Sequence, residues 1–231
     1  MLVQEIRFVN LVNWLRPART VPQTSWSAGD SNWKLNPKTF FVLVLGLWLF
    51  GTGEALLIDA SLGQSPWTVL ADGLAKTLNM TIGQTTFLTS VIVLLLWIPL
   101  KRKPGLGTVM NILVIAVAID VMIPILPSPE NVVAQTIQVL FGILLTGIAS
   151  ALYITCNVGP GPRDGLMTGL NEKTGVRVGR VRTGIEVVVL TIGWLLGGVV
   201  GVGTLFFALL IGQSVAISFG LVERISPKKA I

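Results

Sequence analysis

The sequence contains no histidine and one cysteine, Cys156, in a chain of 231 residues. A single cysteine excludes an intrachain disulfide and any metal cluster built from cysteines. Because Cys156 stands in an apolar segment, we interpret it as a small buried hydrophobic residue. The chain also lacks a metal-ligand cluster and a serine or cysteine beside a recognisable base. We therefore expect no enzyme, no metal and no cofactor.

Charged residues are scarce as well. They make up 12% of the chain, while 52% is hydrophobic, about half the charge of a typical soluble domain. Several apolar runs are long enough to cross about 30 Å of hydrocarbon. The composition predicts an all-α, polytopic membrane protein. The net charge of +6 is not gathered in one patch, so we expect no nucleic-acid partner.

Glycine and proline recur at a fixed interval. Residues 158–164 follow residues 62–68 at an offset of 96, so that glycine matches glycine and proline matches proline. The same offset relates seven glycine pairs, 46/142, 51/147, 63/159, 73/169, 83/179, 105/201 and 107/203. This pattern predicts an internal repeat of about 88 residues.

The repeat divides the chain into five segments. Membrane repeats at 39–127 and 136–223 are joined by an outer linker at 128–135 and followed by a cytoplasmic tail at 224–231. Residues 1–38 precede them as a short amphipathic helix on the membrane surface and a proline-containing linker.

We predict six spanning helices, three in each repeat, at 39–60, 84–100, 107–126, 136–157, 182–200 and 203–222. Two shorter helical pieces, 66–78 and 162–174, lie between the spans. Each is about 20 Å long at about 1.5 Å per residue, too short to cross a bilayer.

The basic residues predict the orientation. Lys and Arg accumulate on cytoplasmic loops, and of the 17 in this chain all but Lys76 fall on one side of the predicted arrangement. Both termini are then cytoplasmic. Because three spans are an odd number, the second repeat enters from the opposite side. Inverted repeats with paired short, broken segments are typical of secondary transporters.

The repeated motif begins both short helices. Ser65 and Pro66 form a helix-start signal, and Gly161 with Pro162 forms a weaker one. Open helix N-termini bind anions, and Arg163 adds a charge with bidentate geometry. The alternative is two connector helices whose glycine and proline serve turn geometry alone. The turns at 105–108 and 201–204 also recur, and we interpret their glycines as structural.

Four acidic residues fall inside predicted spans: Glu54, Asp59, Asp120 and Glu186. Intramembrane acids usually face a cavity or a partner. Helix rise places Glu54 and Asp120 in one layer, roughly 20 Å from the cytoplasmic ends of their spans, so we predict that they bind a proton, cation or substrate. The alternative is a pair of buried acids hydrogen-bonded to the backbone or Asn111. We expect Asp59 at the outer interface and Glu186 within a turn of Arg182, and we interpret both acids as solvated or ion-paired.

These observations define one candidate site. Its ligand would be a small molecule, with an anionic group favoured by the helix N-termini. We predict that the following residues bind it: Glu54, Ser65, Pro66, Trp67, Thr68, Asn111, Asp120, Gly161, Arg163 and Asp164.

Three stretches, 63–68, 105–111 with Asp120 downstream, and 159–167, resemble the bacterial YczE/YitT-type integral membrane proteins. The resemblance covers about residues 40–222. It implies a membrane location and no particular mechanism. At position 68, where the resemblance leads us to expect an acidic residue, this chain has Thr68.

We expect a small-molecule permease or exporter whose site lies between the repeats. No ATP-binding motif is present, so coupling would come from an ion gradient or a partner ATPase. The alternative is a membrane scaffold or regulatory partner of another protein, which does not transport. Either protein could form a homo-oligomer in the bilayer.

Overall fold

A computed structural model describes residues 16–18, 20–29 and 32–226. The regular secondary structure in these ranges is helical, as the composition predicts. The eight helices are α1 Pro37–Asp59, α2 Pro66–Leu78, α3 Ile82–Leu95, α4 Leu106–Met122, α5 Val132–Thr155, α6 Pro162–Thr174, α7 Val178–Leu195 and α8 Val202–Ile225. The predicted surface helix at the start of the chain lies outside the described residues.

The two short helices, α2 and α6, have the bounds that the sequence predicts. Proline stands at the first helical position of each, where its missing N–H costs nothing. Each helix ends before a residue in the left-handed conformation, Asn79 with φ 54° and Gly175 with φ 70°. Those two residues are again 96 positions apart, so start and stop signals recur in both halves.

Three of the predicted spans end elsewhere. The spans predicted at 84–100, 107–126 and 182–200 are α3, α4 and α7, which end earlier at Leu95, Met122 and Leu195. The apolar runs continue past these ends, but Pro99, Pro124 and the pair at 197–198 interrupt the helical backbone. An apolar run therefore did not mark the helix end.

By length and composition, α1, α5 and α8 are the helices of the described chain that could each cross a membrane. The chain bends by 112° between α2 and α3, and these two helices would count as a fourth span only if they form one broken span. Large apolar side chains are exposed on every longer helix, including Phe41 of α1, Leu195 of α7 and Leu209 of α8. Meanwhile Glu54 is only 1% exposed. This distribution suits helices surrounded by lipid.

α1 and α5 form the centre of the fold and pack along each other. Small residues bring their backbones together: a Cβ on Gly53 would meet the side chain of Thr146, and a Cβ on Gly142 would lie 3.0 Å from the carbonyl oxygen of Gly53. α4 packs against α1, and α8 packs against α5 in the corresponding place. α2 contacts α3 and α7, and α6 contacts the same two helices.

The recurring turns bind the two halves to each other. The N–H of Gly107 donates to the carbonyl of Val158 at 2.8 Å, and the N–H of Gly203 donates to the carbonyl of Leu62 at 2.8 Å. The turn before α4 thus holds the loop before α6, and the turn before α8 holds the loop before α2. The second bond repeats the first at the 96-residue offset.

The turn glycines permit close approach rather than left-handed backbone. Gly105 and Gly201 have φ values of −112° and −170°, which other residues also adopt. A Cβ at either position would collide with a loop carbonyl of the other half. The left-handed positions are instead in the loops, at Gly63 with φ +114° and Gly159 with φ +107°.

The described part of the predicted linker is packed against the helices. Trp26 is 8% exposed, and its indole N–H donates to the hydroxyl of Thr155 at 2.9 Å. The N–H of Ala28 donates to the carbonyl of Cys156 at 2.8 Å. Cys156 itself is fully buried, as its apolar surroundings predict. This segment therefore covers one end of α1 and α5.

Candidate functional site

A cavity of about 140 Å³ lies between the two halves, and we call it the central cavity. Both short helices contribute their N-terminal residues to its wall. From the first half it is lined by Phe50, Glu54, Ser65, Pro66 and Trp67. From the second half it is lined by Thr146, Ser150, Tyr153, Ile154, Arg163, Asp164, Met167, Arg182, Glu186, Phe207, Ile211 and Val215.

A side pocket of about 20 Å³ adjoins the central cavity and shares four of its residues, Phe50, Tyr153, Arg163 and Asp164. The side pocket corresponds to the central cavity in the repeat. Thr86, Ser90, Asn111 and Ile115 line the side pocket at positions equivalent to Arg182, Glu186, Phe207 and Ile211 of the central cavity. The central cavity and the side pocket are therefore equivalent parts of one polar centre. Arg182 and Glu186 line the central cavity at the positions where Thr86 and Ser90 line the side pocket.

Glu54 is held in the wall by the first turn of α2. Its Oε2 accepts hydrogen bonds from the hydroxyls of Ser65 at 2.8 Å and Thr68 at 2.7 Å. Ser65 stands at the N-cap position, but its hydroxyl makes no cap to the α2 backbone. The predicted helix start at Ser65 and Pro66 is thus confirmed, but the Ser65 hydroxyl donates to Glu54 instead of capping the helix. A hydroxyl at position 68 donates to this acid, which an ionised carboxylate at that position would not do.

Arg163 stacks on the ring of Trp67. Its guanidinium carbon lies 5.0 Å from the ring centroid, a distance typical of a cation–π interaction. No described carboxylate forms an ion pair with Arg163, although Glu54 and Asp164 attract its charge through space. Its donors are therefore not committed to an acid.

The other charged groups of the cavity already have partners. The hydroxyl of Tyr153 donates to Oδ2 of Asp164 at 2.8 Å. Arg182 and Glu186 form the ion pair that their spacing predicts, with Nε and Oε1 at 2.8 Å. Two features set Glu54 and Arg163 apart from these groups: Oε1 of Glu54 is buried without a hydrogen-bond partner among the described residues, and Arg163 has no ion pair with a described carboxylate.

Three lining residues carry a buried polar atom that has no hydrogen-bond partner among the described residues: Oε1 of Glu54, Nε1 of Trp67 and Oγ1 of Thr146. Each such atom costs roughly 1–3 kcal/mol of desolvation when nothing replaces water. Buried polar groups in proteins are nearly always paired. Three exceptions around one cavity indicate a place where a ligand or water supplies the missing partners.

The structure brings together most, but not all, of the predicted site. Glu54, Ser65, Pro66, Trp67, Arg163 and Asp164 line the central cavity, and Asn111 and Gly161 line the side pocket. Thr68 stands behind Glu54 as its hydrogen-bond donor.

Asp120 lies apart from this group. Its Oδ2 accepts from the hydroxyl of Thr81 at 2.6 Å, and its Oδ1 accepts from the N–H of Gly83 at 2.8 Å. Asp120, which is half-buried, therefore joins the start of α3 to α4 through one side-chain and one backbone donor. Helix rise gives depth along the membrane but not direction around the helix, so equal depth did not place Asp120 beside Glu54.

Asp59 stands at the end of α1, where its two oxygens accept from Ser128 at 2.7 Å and from Gln138 at 2.8 Å. Several cavity residues were not predicted, notably Thr146, Ser150, Tyr153, Arg182 and Glu186. Thr146 and Ser150 are the repeat partners of Phe50 and Glu54. The offset of 96 residues was the signal that would have found those two.

A wider apolar groove of about 640 Å³ lies on the other side of Trp67, between α3 and α7. Trp67 lines both spaces and so separates the polar cavity from the groove. In the described residues, no three acidic or cysteine side chains are grouped so that they could hold a metal ion.

Comparison with known proteins identifies the relatives of this chain. Residues 37–219 match the family described as "Family of unknown function (DUF6198)". An uncharacterized protein of Haemophilus influenzae is 42% identical over 210 residues, which cover 91% of this chain and 96% of that protein. The uncharacterized membrane protein YczE of Bacillus subtilis is 33% identical over 169 residues, or 72% of this chain and 79% of YczE. No solved structure matches the chain.

The resemblance to YczE is thereby confirmed. A relative that is named as a membrane protein, together with long helices that expose apolar side chains, makes this an integral membrane protein. The match covers the helices that build the central cavity, from α1 to most of α8. The chain belongs to the DUF6198 family and is a YczE-type integral membrane protein.

Proposed function

We propose that this protein is a small-molecule permease or exporter of the bacterial plasma membrane, with its solute bound in the central cavity. The observation that carries the proposal is the cavity itself. It lies between two repeated halves and is bordered by two short helices that begin at prolines. Within the described part of the chain, its wall contains three unpartnered polar atoms and an arginine, Arg163, without an ion pair.

The proposed topology has six spans in two inverted repeats, with both termini in the cytoplasm. The distribution of basic residues supports the orientation. The reciprocal bonds of Gly107 and Gly203 support a two-fold relation between the halves. The sharp bend between α2 and α3 suits a short helix that enters the membrane and turns back. In this topology, the shorter α3, α4 and α7 also cross the membrane.

Two corresponding sets of bonds suggest how access would alternate. Near the end of α2, Lys76 donates to the carbonyl of Gly197 at 2.8 Å, and Asp72 accepts from the N–H of Val199 at 3.0 Å. Near the end of α6, Arg102 reaches Thr168 at 2.6 Å and Glu172 at 3.1 Å.

Thr168 and Glu172 are the repeat partners of Asp72 and Lys76. Under the proposed topology the two sets lie at opposite membrane faces. Breaking one set while the other holds would open the cavity to one side at a time, since rocking of one repeat against the other is the usual route to alternating access. An ion gradient or a partner ATPase would drive the cycle, and this chain itself would catalyse no reaction.

A thermal-unfolding screen of the purified chain in detergent tests the proposal, using metabolites, vitamins, amino acids and anions. A solute at 100 times its dissociation constant adds about 2.7 kcal/mol of stability. The shift should vanish in Arg163→Gln and persist in Arg177→Gln, an exposed arginine away from the cavity. A solute that passes this screen is then tested for uptake into liposomes.

Two outcomes would count against the proposal. Ligand shifts that survive Arg163→Gln would place the site elsewhere. A stable, stoichiometric complex with another membrane protein, combined with no flux of any stabilising solute in liposomes, would favour a scaffold or regulatory partner instead.

A further inference from the structure

We infer that the ligand of the central cavity is a compact zwitterion, a solute that carries a carboxylate-like anion and an ammonium-like cation on a short backbone. The inference rests on the proposed binding function and names the chemistry of the solute. It follows from two groups of opposite charge in the wall of one small cavity: Arg163, which has no ion pair among the described residues, and Glu54, whose Oε1 has no hydrogen-bond partner there.

Arg163 supplies the anion-binding side. Its guanidinium is oriented by the face of Trp67, at 5.0 Å, and not by a carboxylate. A planar guanidinium binds carboxylates through two parallel hydrogen bonds. Neither N-terminus beside it, that of α2 or that of α6, has a side-chain cap. The partial positive charge of both helix ends therefore adds to the attraction for an anion.

Glu54 supplies the cation-binding side. The hydroxyls of Ser65 and Thr68 both donate to Oε2 and fix the carboxylate. Oε1 is left buried and has no hydrogen-bond partner among the residues that the structure describes. A carboxylate oxygen only accepts, so its missing partner must be a donor, and an ammonium group both donates and neutralises the charge. Water is a donor but leaves the negative charge uncompensated.

Charges of both signs in the cavity wall argue against a ligand of one sign. The lining includes two arginines and three acids, and the pair of Arg182 with Glu186 cancels internally. A simple anion would satisfy Arg163 but lie near Glu54 and Asp164. A simple cation would satisfy Glu54 but lie near Arg163. A zwitterion satisfies both sides and leaves the bond between Tyr153 and Asp164 intact.

The size of the cavity limits the solute. A volume of about 140 Å³ is close to that of an engineered cavity of about 150 Å³ that holds benzene. The ligand should therefore have roughly six non-hydrogen atoms, the size of a small amino acid. Thr146 and Trp67 provide an acceptor and a donor for further polar atoms of such a solute.

The test uses the full chain in detergent and three zwitterions that differ in the spacing of their charges: alanine, β-alanine and γ-aminobutyrate. Each is compared with a carboxylate and an amine of matched size, such as butyrate and pentylamine. The midpoint of thermal unfolding is followed against probe concentration. At least one zwitterion should raise the midpoint at concentrations where its matched carboxylate and amine, alone or mixed, do not.

Variants that lack one of the two charges test whether the zwitterion binds in the central cavity. Arg163→Gln and Glu54→Gln should each lower the affinity for the stabilising zwitterion by about 30-fold or more. This is the usual consequence of removing one partner from a buried charge pair. Arg177→Gln should leave its affinity unchanged. If Glu54→Gln does not fold, Glu54→Asp keeps the charge but draws it back, and the same loss is expected.

The remaining outcomes overturn the inference in distinguishable ways. Equal stabilisation by the carboxylate alone would show an anion site, and by the amine alone a cation site. In both cases the proposed function stands. No stabilisation by any of the three zwitterions would overturn the inference and return the search to the wider solute screen. Zwitterion binding that survives both Arg163→Gln and Glu54→Gln would overturn the inference and remove the central cavity from the proposed function as well.

Discussion

Arg163 and Trp67 stand at the same position of the two repeated halves, 96 residues apart, and their side chains stack with the guanidinium carbon 5.0 Å from the ring centroid. A residue and its repeat partner touch only near the axis that relates the halves. One position has thus become a cation in one half and an aromatic face in the other. The ring orients the guanidinium without using its donors.

Replacement of Trp67 tests this contact. Trp67→Phe keeps an aromatic face, whereas Trp67→Leu removes it and the cation–π attraction, which is worth about 0.5–2 kcal/mol. We expect Trp67→Leu to weaken solute binding by that amount and Trp67→Phe to weaken it less. Thermal shift titration measures both. Trp194→Leu, at an exposed tryptophan on α7, is the control, and an equal loss in that variant would contradict the role of the stack.

The hydroxyl of Thr146 provides a stability prediction. Because this hydroxyl is buried and has no hydrogen-bond partner in the described chain, Thr146→Val removes an uncompensated polar group at little change in shape. The variant should unfold at the same or a higher temperature, with a gain of up to about 1–3 kcal/mol, and should bind solute less well. In Thr39→Val the lost hydroxyl donates to the carbonyl of Trp26 at 2.7 Å, so that variant should be destabilised by about 1 kcal/mol. Equal destabilisation of both would refute the assignment.

The left-handed loop glycines should resist substitution. Gly63→Ala and Gly159→Ala each place a side chain at positive φ, and the added Cβ would lie 2.6 Å from the N of Gly201 or 2.9 Å from the Cα of Gly105. Strain of this kind costs about 1–3 kcal/mol. Gly212→Ala, where nothing lies within 4 Å, should be neutral or slightly stabilising. Thermal unfolding of the three variants gives the comparison, and wild-type stability in both loop variants would contradict the packing described.

The orientation can be tested with single cysteines. In a Cys156→Ala background, Glu130→Cys should react with a membrane-impermeant maleimide added to intact cells. Arg177→Cys should react only after the membrane is opened. This pattern follows if the linker between the repeats is outside and the loop before α7 is inside. Labelling of Glu130→Cys only in opened membranes would overturn the proposed orientation.

Local signals were enough for much of the fold. The scarcity of charge predicted apolar helices, and the prolines at 66 and 162 with the residues at 79 and 175 marked the bounds of α2 and α6. The pairing of Arg182 with Glu186 follows from a spacing of four residues on one helix. In each case the physical cause acts over a few neighbouring residues, so the sequence displays it directly.

The sequence predicted only part of the candidate site. The repeated glycine and proline motif predicted Trp67, Arg163 and Asp164, which line the central cavity. The estimated depth in the membrane predicted Glu54, which also lines the cavity, but it predicted Asp120 as well. That residue instead bonds the start of α3. Which way a side chain points around its helix depends on the neighbours that the helix packs against.

The sequence by itself therefore determined the helical membrane class, the repeat and the two short helices, because composition, periodicity and cap residues are local properties. Only the tertiary structure decided that a residue and its repeat partner meet, that the side pocket mirrors the central cavity, and that Tyr153 and Thr146 belong to the wall. Those relations arise where α1 packs on α5 and each turn bonds the opposite loop. They depend on contacts between residues far apart in the chain.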